Sequence, residues 1–407
     1  MTPPFTAGVQ LKSERIQLVD ALRGLALLAI VLLHNLEHYN LFGAPTSAPE
    51  WLQALDRNVT DFIYFIFAGK AYATFSLLFG LSFYIQMRNA RKRGCDFRAR
   101  FAWRMLILAG FSQFHALFYN GDILLLYSVC GLILIPASSW SNRTVLTVAA
   151  ILMLQPYAWA KIIYSFIDPN YVDTNSLFAV YSESAYQTGS TGTFLQTLAN
   201  NIWNGQLYSN FWQVEAGRIF QTPALFLLGM WVGRKNFFER NETNLKFWRK
   251  AAFWSAVALI PLFMLKTYIP PLVDNITFHA YYGIALPMVF NFFFMVTLVS
   301  VFTLLWFSRD NKGYRWQRTL VAYGRMSLTN YIFQSIIGVT VYYHYGLDLF
   351  DKVGASVSVL IAFGIFSLQL MFSKWWLKSH QQGPLEYIWK RLTWISFPGE
   401  KTQCKPI

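Results

Sequence analysis

Long apolar segments alternate with short polar segments along most of this chain. Each apolar segment is close to twenty residues long, the length that an α-helix needs to cross a bilayer core of about 30 Å. The pattern places ten of them at 16–36, 62–87, 101–119, 123–138, 144–166, 219–233, 251–269, 282–307, 323–344 and 354–377. Because backbone polar groups must be satisfied internally at that depth, we predict an all-α, polytopic membrane helical bundle in which residues 1–407 form one integral membrane domain.

The charges of the polar segments predict the orientation of this bundle. Lys and Arg are concentrated at 88–104, 234–250 and 308–318 and in the C-terminal tail, whereas the alternate segments carry mainly Asp and Glu. Under the positive-inside rule, ten spans then place both termini in the cytoplasm. We expect a multi-pass protein of a bacterial inner (plasma) membrane, with the lipid bilayer as its principal partner.

Composition agrees with a membrane protein. Of the 407 residues, 55% are hydrophobic and 13% charged, and that charged share is about half of what a soluble domain carries. The net charge of +14 would suggest nucleic acid in a soluble protein, but the cation-rich loops account for it, and we expect no nucleic-acid binding.

Cys95, Cys130 and Cys404 lack metal-ligand spacing, so we predict no metal site. The apolar helix faces are compatible with a homodimer.

One polar segment is much longer than the others. Residues 167–216 are rich in Ser, Thr, Asn, Tyr and Gly, and a loop of that length is usually functional or disordered. We predict a long extracytoplasmic loop, and its short apolar stretches at 195–202 and 211–214 suggest interfacial helices.

Ionisable residues within the first apolar segment are the strongest functional signal. An intramembrane charge costs at least about 2.5 kcal/mol and marks a functional site by default. At about 100° per residue, Asp20, Arg23, His34 and His38 fall within an arc of roughly 60°, with Arg23 and His34 about 16 Å apart along the axis. Taken separately, Arg23 could be a snorkelling residue near the inner interface, and His34 could be hydrogen-bonded to another helix. Their shared face favours a polar pathway through the bundle.

Further candidates lie in other segments. Lys70 is too deep in the second segment to reach water easily, so we expect it to meet an anion from another helix or a substrate. Asn120-Gly121 predicts a turn, after which Asp122 either caps a helix or faces the same outer cavity as His115 and His34. Glu215 and Arg218 suit a salt bridge or an acidic or sugar substrate.

The ninth apolar segment opens with two more polar candidates. Arg325 lies near its predicted cytoplasmic end, where a guanidinium suits phosphate recognition. Asn330 lies deeper, as a polar contact between helices or as part of a binding site.

Several motifs, in order along nearly the whole chain, carry a family resemblance. They are LVDALRGLA at 18–26, LLFG at 77–80, His115 with GDIL at 121–124, ALFLLGMWVGR at 224–234, GRMSLTNY at 324–331 and GPLEYIWKR at 383–391. Together they resemble the YeiB-like family of bacterial membrane proteins, a domain of unknown function. The first segment is also similar to that of two groups of membrane acyltransferases, the acyltransferase-3 family and the heparan-glucosaminide N-acetyltransferase family.

The resemblance implies a transmembrane acyltransferase that uses acyl-CoA as co-substrate, with no covalently bound cofactor. His34, at the spacing of the acyltransferase-3 histidine from Arg23, would be the base, although YeiB-like members often have asparagine there. His115 or Asp122 would orient it. Arg23, Lys70 and Arg325 would bind the donor, and His38, Glu215, Arg218 and Asn330 would bind an extracytoplasmic hydroxyl or amine acceptor, a small molecule, glycan or lipid. The alternative is a transporter or lipid-handling protein with a polar intramembrane cavity.

Overall fold

The described part of the chain consists of helices joined by turns and loops, without strands. The computed structural model describes residues 16–39, 48–168, 170–173 and 175–395, so that Cys404 and the last cations of the tail lie outside it. The helices are α1 (Gln17–Leu36), α2 (Glu50–Phe67), α3 (Lys70–Arg91), α4 (Arg98–Ala116), α5 (Leu124–Gly131), α6 (Leu134–Ala137), α7 (Asn142–Met153), α8 (Pro156–Ile167), α9 (Leu177–Ser190), α10 (Phe194–Glu215), α11 (Arg218–Arg234), α12 (Glu242–Tyr268), α13 (Ile276–Phe307), α14 (Arg315–Arg325), α15 (Ser327–Tyr342), α16 (Ala355–Trp376) and α17 (Pro384–Thr393). A 3₁₀ turn, Pro270–Leu272, follows α12.

Five helical segments in the described residues are long and apolar enough to cross a bilayer. They are Gln17–Leu36, Glu50–Arg91, Glu242–Leu272, Ile276–Phe307 and Ala355–Trp376. The pair α7 and α8, bent by 47°, makes a sixth when counted as one span. The protein is therefore a multi-pass, all-helical membrane protein, as the sequence predicted. The count of ten spans and the orientation remain predictions.

Two predicted spans are not continuous helices. The segment at 62–87 is broken between α2 and α3 at Gly69, whose φ of 76° is readily adopted by glycine alone. The segment at 323–344 is broken at Met326, which has φ −110° and ψ 39°. There the Glu386 carboxylate accepts hydrogen bonds from the backbone N–H groups of Leu328 and Thr329, at 2.7 and 3.1 Å. The first N–H groups of a helix have no acceptor within that helix. The Glu386 carboxylate satisfies two of them, and this stabilises the break.

Close backbone contacts between helices build the core. A Cβ added at Gly80 of α3 would lie 1.9 Å from the Phe226 carbonyl oxygen of α11, and one at Gly229 would lie 1.9 Å from that of Leu77. Likewise α1 meets α14, where a Cβ at Gly324 would lie 1.9 Å from the carbonyl oxygen of Asp20. Small residues at such crossings are typical of membrane helix pairs, since they let backbones approach closely.

The cation-rich segments gather at one end of the bundle. Arg88 Nη1 donates to Asn236 Oδ1 at 2.8 Å, and Arg100 Nη1 donates to the carbonyl of Thr393 at 2.9 Å. These contacts join the segments at 88–104 and 234–250 to the C-terminal helix α17. We call this the cation-rich end.

The long segment predicted as a loop at 167–216 contains the helices α9 and α10. Gln213 Nε2 donates to the carbonyl of Asp122 at 2.8 Å, and Asn201 Nδ2 donates to that of Leu117 at 3.1 Å. The segment therefore covers the turn between α4 and α5. Since the 19 residues of α4 span about 28 Å, this turn lies far from the cation-rich end, and we call it the α9–α10 end.

Candidate functional site

A cavity of about 2670 Å³ extends through the bundle from the cation-rich end to the α9–α10 end. Pockets for drug-sized ligands are typically about 300–1,000 Å³, so this cavity has room for a long ligand and a second molecule together. The first helix lines much of its length, through Gln17, Asp20, Arg23, Ile30 and His34.

Basic side chains dominate the lining near the cation-rich end. They are Arg23, Arg88, Lys92, Arg93, Arg104, Arg240, Arg325 and Lys390. Acidic lining residues are fewer, and two of them are engaged with neighbours: Asp20 with Arg23, and Glu386 with the start of α15. A cleft lined by one sign of charge attracts ligands of the opposite sign, so this part of the cavity suits an anion such as a phosphate ester.

Arg23 stands between the two ends of the cavity. Its Nη1 donates to Asp20 Oδ1 at 2.7 Å and its Nη2 to Ser82 Oγ on α3 at 2.6 Å. The guanidinium is thereby held in place on the cavity wall. The Asp20–Arg23 pair that the spacing suggested is present.

His34 lies on the cavity wall toward the α9–α10 end. Its ring centroid is 5.2 Å from that of Tyr119, 5.5 Å from that of Tyr39 and 6.4 Å from that of Tyr331. The side chain is half-buried, and its Nδ1 atom is buried with no hydrogen-bond partner among the described residues. Because Nδ1 is enclosed, any proton exchange with a molecule in the cavity would take place at Nε2, the other ring nitrogen.

Glu37 and Arg218 line the same part of the cavity. Glu37 Oε1 accepts a hydrogen bond from the Tyr64 hydroxyl at 3.1 Å. The Arg218 guanidinium lies 4.1 Å from the ring centroid of Trp212 and 4.7 Å from that of Tyr72. One acid and one cation therefore face the space near His34.

The predicted salt bridge between Glu215 and Arg218 is wrong. Glu215 Oε1 accepts from the backbone N–H groups of Leu177 and Phe178, at 2.6 and 3.2 Å, and Oε2 accepts from Ser176 Oγ at 2.7 Å. The carboxylate thus caps the N-terminus of α9, where a negative charge is stabilised by the helix dipole. Glu215 is also absent from the cavity lining.

His115 and Asp122 form a buried pair behind the cavity wall. His115 Nδ1 donates to Asp122 Oδ1 at 2.7 Å, while Asp122 Oδ2 accepts from the N–H groups of Leu124 and Leu125 at 3.1 and 3.3 Å. Of the two roles that the sequence left open for Asp122, a helix cap or a residue facing the outer cavity, the structure shows the contact with the start of α5. Neither residue lines the cavity, which corrects the expectation that both would face it.

Aromatic rings connect this pair to His34. Tyr119 and Tyr331 each lie against both histidines, with ring centroids 5.7 and 5.1 Å from that of His115. The Nε2 atom of His115 is buried and has no hydrogen-bond partner in the described residues.

The placement expected for His38 is wrong. Helix α1 ends at Leu36, and His38 and Tyr39 follow with φ of 49° and 55°, so the helical register does not continue. The ring turns toward α16, where Nδ1 lies 2.6 Å from the carbonyl oxygen of Phe350 and Nε2 lies 2.9 Å from Ser358 Oγ. His38 is buried outside the cavity lining.

Two other candidates also lie outside the cavity lining. Asn330 Nδ2 donates to the Tyr323 carbonyl and to Ser373 Oγ, both at 3.0 Å, and so joins α15 to α14 and α16. Lys70 lies among phenyl rings, and of its two expected partners, an anion from another helix or a substrate, the first is not found among the described residues. Arg325, in contrast, does line the cavity, and its Nη2 donates to the Gln381 carbonyl at 2.7 Å.

Sequence reasoning missed some of the lining. The cavity is also bordered by Lys92, Arg93 and Arg240, in segments whose cations indicate only orientation from the sequence. Glu37, which directly follows α1, also lines the cavity. Tyr331 lies three residues after Leu328, close to one helical turn, and both line the cavity. That spacing is a signal that could have identified Tyr331.

The fold and cavity define the class of protein: a multi-pass membrane protein with a large cavity lined by basic side chains. Residues 15–270, more than half of the chain, match the family model described as heparan-alpha-glucosaminide N-acetyltransferase, catalytic. The chain belongs to this membrane acyltransferase-like family. Residues 232–396 match the model described as protein of unknown function (DUF418), in agreement with the YeiB-like resemblance.

Uncharacterised bacterial proteins are similar over almost the whole chain. The protein YxaH of Bacillus subtilis (strain 168) is 26% identical over 95% of this chain and 96% of its own length. The protein YeiB of Escherichia coli (strain K12) is 25% identical over 93% of this chain and 96% of its own length. No solved structure matches the chain.

Proposed function

We propose that this protein transfers an acyl group from a thioester donor of the CoA type to a hydroxyl or amine acceptor. The observation that carries the proposal is the single cavity that connects a cluster of basic side chains to His34. The match to a family model named for an N-acetyltransferase catalytic domain supports the reaction class.

The donor enters the cavity from the cation-rich end. The phosphates of a CoA-type donor carry negative charge, and Arg88, Lys92, Arg93 and Arg240 supply complementary charge there. Arginine suits bidentate phosphate contacts. The slender arm that carries the thioester then extends past Arg23 toward His34, a distance of about 16 Å along α1 for their eleven-residue separation.

His34 acts as general base on the acceptor. The acceptor O–H or N–H gives its proton to the imidazole as its oxygen or nitrogen attacks the thioester carbonyl. The carbonyl–sulfur bond then breaks, and the thiolate takes that proton from the imidazole and leaves as a free thiol. Histidine suits both steps because its ordinary pKa is close to neutral pH.

The acceptor lies at the α9–α10 end. Glu37, Arg218 and the Tyr119 ring line that part of the cavity beside His34, so an acceptor with several polar groups has both donors and acceptors available. Helices α9 and α10 cover this end, in the segment predicted to be extracytoplasmic. On this proposal the acyl group crosses the membrane within the cavity.

The His115–Asp122 pair positions the part of the cavity wall that lies beside His34. Asp122 fixes the His115 tautomer by accepting from Nδ1, and His115 in turn supports the Tyr119 and Tyr331 rings that lie against His34. Because His115 is fully buried, we assign it a positioning role without contact to substrate.

Reconstitution into vesicles with radiolabelled acetyl-CoA and a mixture of membrane lipids and glycans tests this function. The unmodified protein is expected to yield acylated product, His34→Ala almost none, and His115→Ala a reduced amount. His344→Ala is the matched control, since that ring is half exposed and outside the cavity lining. Undiminished transfer by both His34→Ala and His115→Ala would overturn the assignment, and solute uptake without any acylated product would favour a transporter.

A further inference from the structure

Lys70 is buried outside the cavity without an anionic partner. Only 5% of the residue is exposed, and no carboxylate lies within 4 Å of its ammonium group in the described residues. Three phenyl rings surround the Nζ atom, with centroids at 5.1 Å (Phe294), 5.8 Å (Phe65) and 5.9 Å (Phe290). This is an aromatic cage around a cation.

The cage alone does not offset the cost of burying this charge. A cation–π contact contributes about 0.5–2 kcal/mol, whereas an unpaired ion inside a protein costs several kcal/mol. With 5% of the residue exposed, Lys70 is far less hydrated than a snorkelling lysine, which extends its ammonium group into water. An anion beside the cage would complete the charge balance.

A second lysine lies at the same cage. Lys266, near the end of α12, places its Nζ atom 5.7 Å from the Phe290 ring centroid, and it too has no carboxylate within 4 Å among the described residues. Two ammonium groups therefore share one phenyl ring. Their combined charge attracts an anion that reaches both, such as a phosphate.

The surroundings of the cage are apolar and face outward. Phe65 is 53% exposed, Phe62 lies one turn before it on α2 and is also exposed, and the exposed Phe263 lies one turn before Lys266 on α12. Both α2 and α12 belong to segments long and apolar enough to cross a bilayer. In the membrane this surface is covered by lipid chains, so the anion that arrives beside Lys70 and Lys266 carries acyl chains of its own.

We infer that Lys70 and Lys266 bind the phosphate of an anionic phospholipid on the outer surface of the bundle. The lipid chains pack on Phe62, Phe65 and Phe263, while the headgroup phosphate accepts hydrogen bonds from both ammonium groups. Gly69, the residue before Lys70, lines the central cavity. The lipid site and the cavity therefore lie on two sides of the corner between α2 and α3. This inference does not depend on acyl transfer.

Native mass spectrometry with the full chain tests the lipid site. The protein is exchanged into detergent containing equal amounts of phosphatidylglycerol and phosphatidylcholine, and retained lipid is counted. We expect at least one phosphatidylglycerol to be retained selectively, and retention to fall at least fivefold in Lys70→Gln and in Lys266→Gln. Lys250→Gln is the control, because this exposed lysine lies on the same helix as Lys266 but 16 residues away.

A stability measurement distinguishes a lipid from a free anion. Ligands that bind only the folded state raise the melting temperature, so phosphatidylglycerol is expected to raise it for the unmodified protein and not for Lys70→Gln, and inorganic phosphate is expected to have no effect. Equal retention of both lipids, an equal loss in Lys250→Gln, or a rise with inorganic phosphate that matches the lipid effect would each overturn the inference.

Discussion

His115 and Asp122 are joined by a hydrogen bond of 2.7 Å from Nδ1 to Oδ1, and both side chains are almost completely buried. The same carboxylate also accepts from Ser112 Oγ and from the first N–H groups of α5. One acidic residue therefore fixes the turn between α4 and α5 and the orientation of a histidine. The His115 ring packs against the rings of Tyr119 and Tyr331, and these two rings also lie beside His34.

Asp122→Asn is expected to destabilise the protein. An amide cannot accept all four of these hydrogen bonds, and a buried hydrogen bond to a charged group contributes about 1.5–3 kcal/mol. Thermal unfolding in detergent should show a loss of about 2–3 kcal/mol. Ser112→Ala removes one donor and keeps the carboxylate, so its loss should be smaller. Equal stability of Asp122→Asn and the unmodified protein would refute the role of the carboxylate.

His34→Ala is expected to abolish activity without unfolding the protein. Removing a general base typically lowers a rate by about 10²–10⁴-fold, while the half-buried ring forms no hydrogen bond at its Nδ1 atom whose loss would destabilise the fold. Acyl transfer in vesicles and the melting temperature should be measured on the same preparation. Retained activity would exclude His34 as the base, and a large fall in melting temperature would indicate a structural role.

The double variant Lys92→Gln/Arg93→Gln is expected to weaken donor binding. Exposed charge contacts contribute about 0.2–1 kcal/mol each, so the loss should approach tenfold in affinity, which corresponds to about 1.4 kcal/mol. The rise in melting temperature on titration with CoA measures this affinity. Both residues are exposed and line the cavity.

Arg249→Gln/Lys250→Gln is the matched control for that experiment. It removes the same charge from the neighbouring exposed surface of α12, outside the cavity lining. The account expects unchanged CoA affinity in the control. It also expects the difference between the two double variants to shrink at high salt, because salt screens exposed charges.

Gly80→Ala is expected to disrupt the packing of α3 on α11. The added Cβ would lie 1.9 Å from the Phe226 carbonyl oxygen, a backbone atom that cannot rotate away, so the cost should reach the upper part of the 1–3 kcal/mol range for overpacking. Gly364→Ala is the control, since nothing lies within 4 Å of its Cβ position. In an exposed helix alanine should be neutral or stabilising by up to about 1 kcal/mol. Gly80→Ala should therefore lower the melting temperature, whereas Gly364→Ala should leave it unchanged or raise it.

Asp173 supplies a pH-dependent contact near α8. Its Oδ2 accepts from Lys161 Nζ at 2.7 Å and from the hydroxyls of Tyr171 and Tyr281, both at 2.8 Å. The hydrogen bond from Lys161, followed by those from the two tyrosines, lowers the pKa of the Asp173 carboxyl. A depressed pKa stabilises the fold above the ordinary aspartate pKa of about 3.9, and this contribution is lost as the pH falls through the lower folded value.

The difference in melting temperature between Asp173→Asn and the unmodified protein measures this contribution. It should be largest at neutral pH and should shrink below about pH 4. Asp274→Asn, which changes an exposed carboxylate nearby, should show little difference at either pH. A difference for Asp173→Asn that stays constant with pH would contradict the assignment.

Much of the helical architecture could be predicted from hydrophobic segments alone, because a bilayer imposes both the length and the helical conformation. The helix breaks could not. Gly69 lies in a segment that is largely apolar on both sides, so hydropathy does not register the change in direction. Met326 lies only three residues inside its predicted segment, and the helix that ends beside it, α14, is too polar to be recognised by hydropathy. The bend between α7 and α8 is hidden in the same way, at Gln155 with φ 56°.

Only part of the candidate site could be predicted, because helical spacing locates residues only where the helix is continuous. Helical spacing correctly places Asp20, Arg23 and His34 along one wall, because α1 is continuous over those residues. It fails for His38, since two non-glycine residues adopt positive φ directly after the helix. It also fails for Glu215, because the competing partner is the start of a helix 38 residues away in sequence, which spacing along one helix cannot identify.

A density map of the protein in lipid nanodiscs with a non-hydrolysable thioether analogue of acetyl-CoA tests the central claim most directly. The account predicts nucleotide density against Arg88, Arg93 and Arg240, and the acyl group beside the His34 ring. Analogue density outside the cavity, or inside it with the acyl group pointing away from His34, would contradict the account.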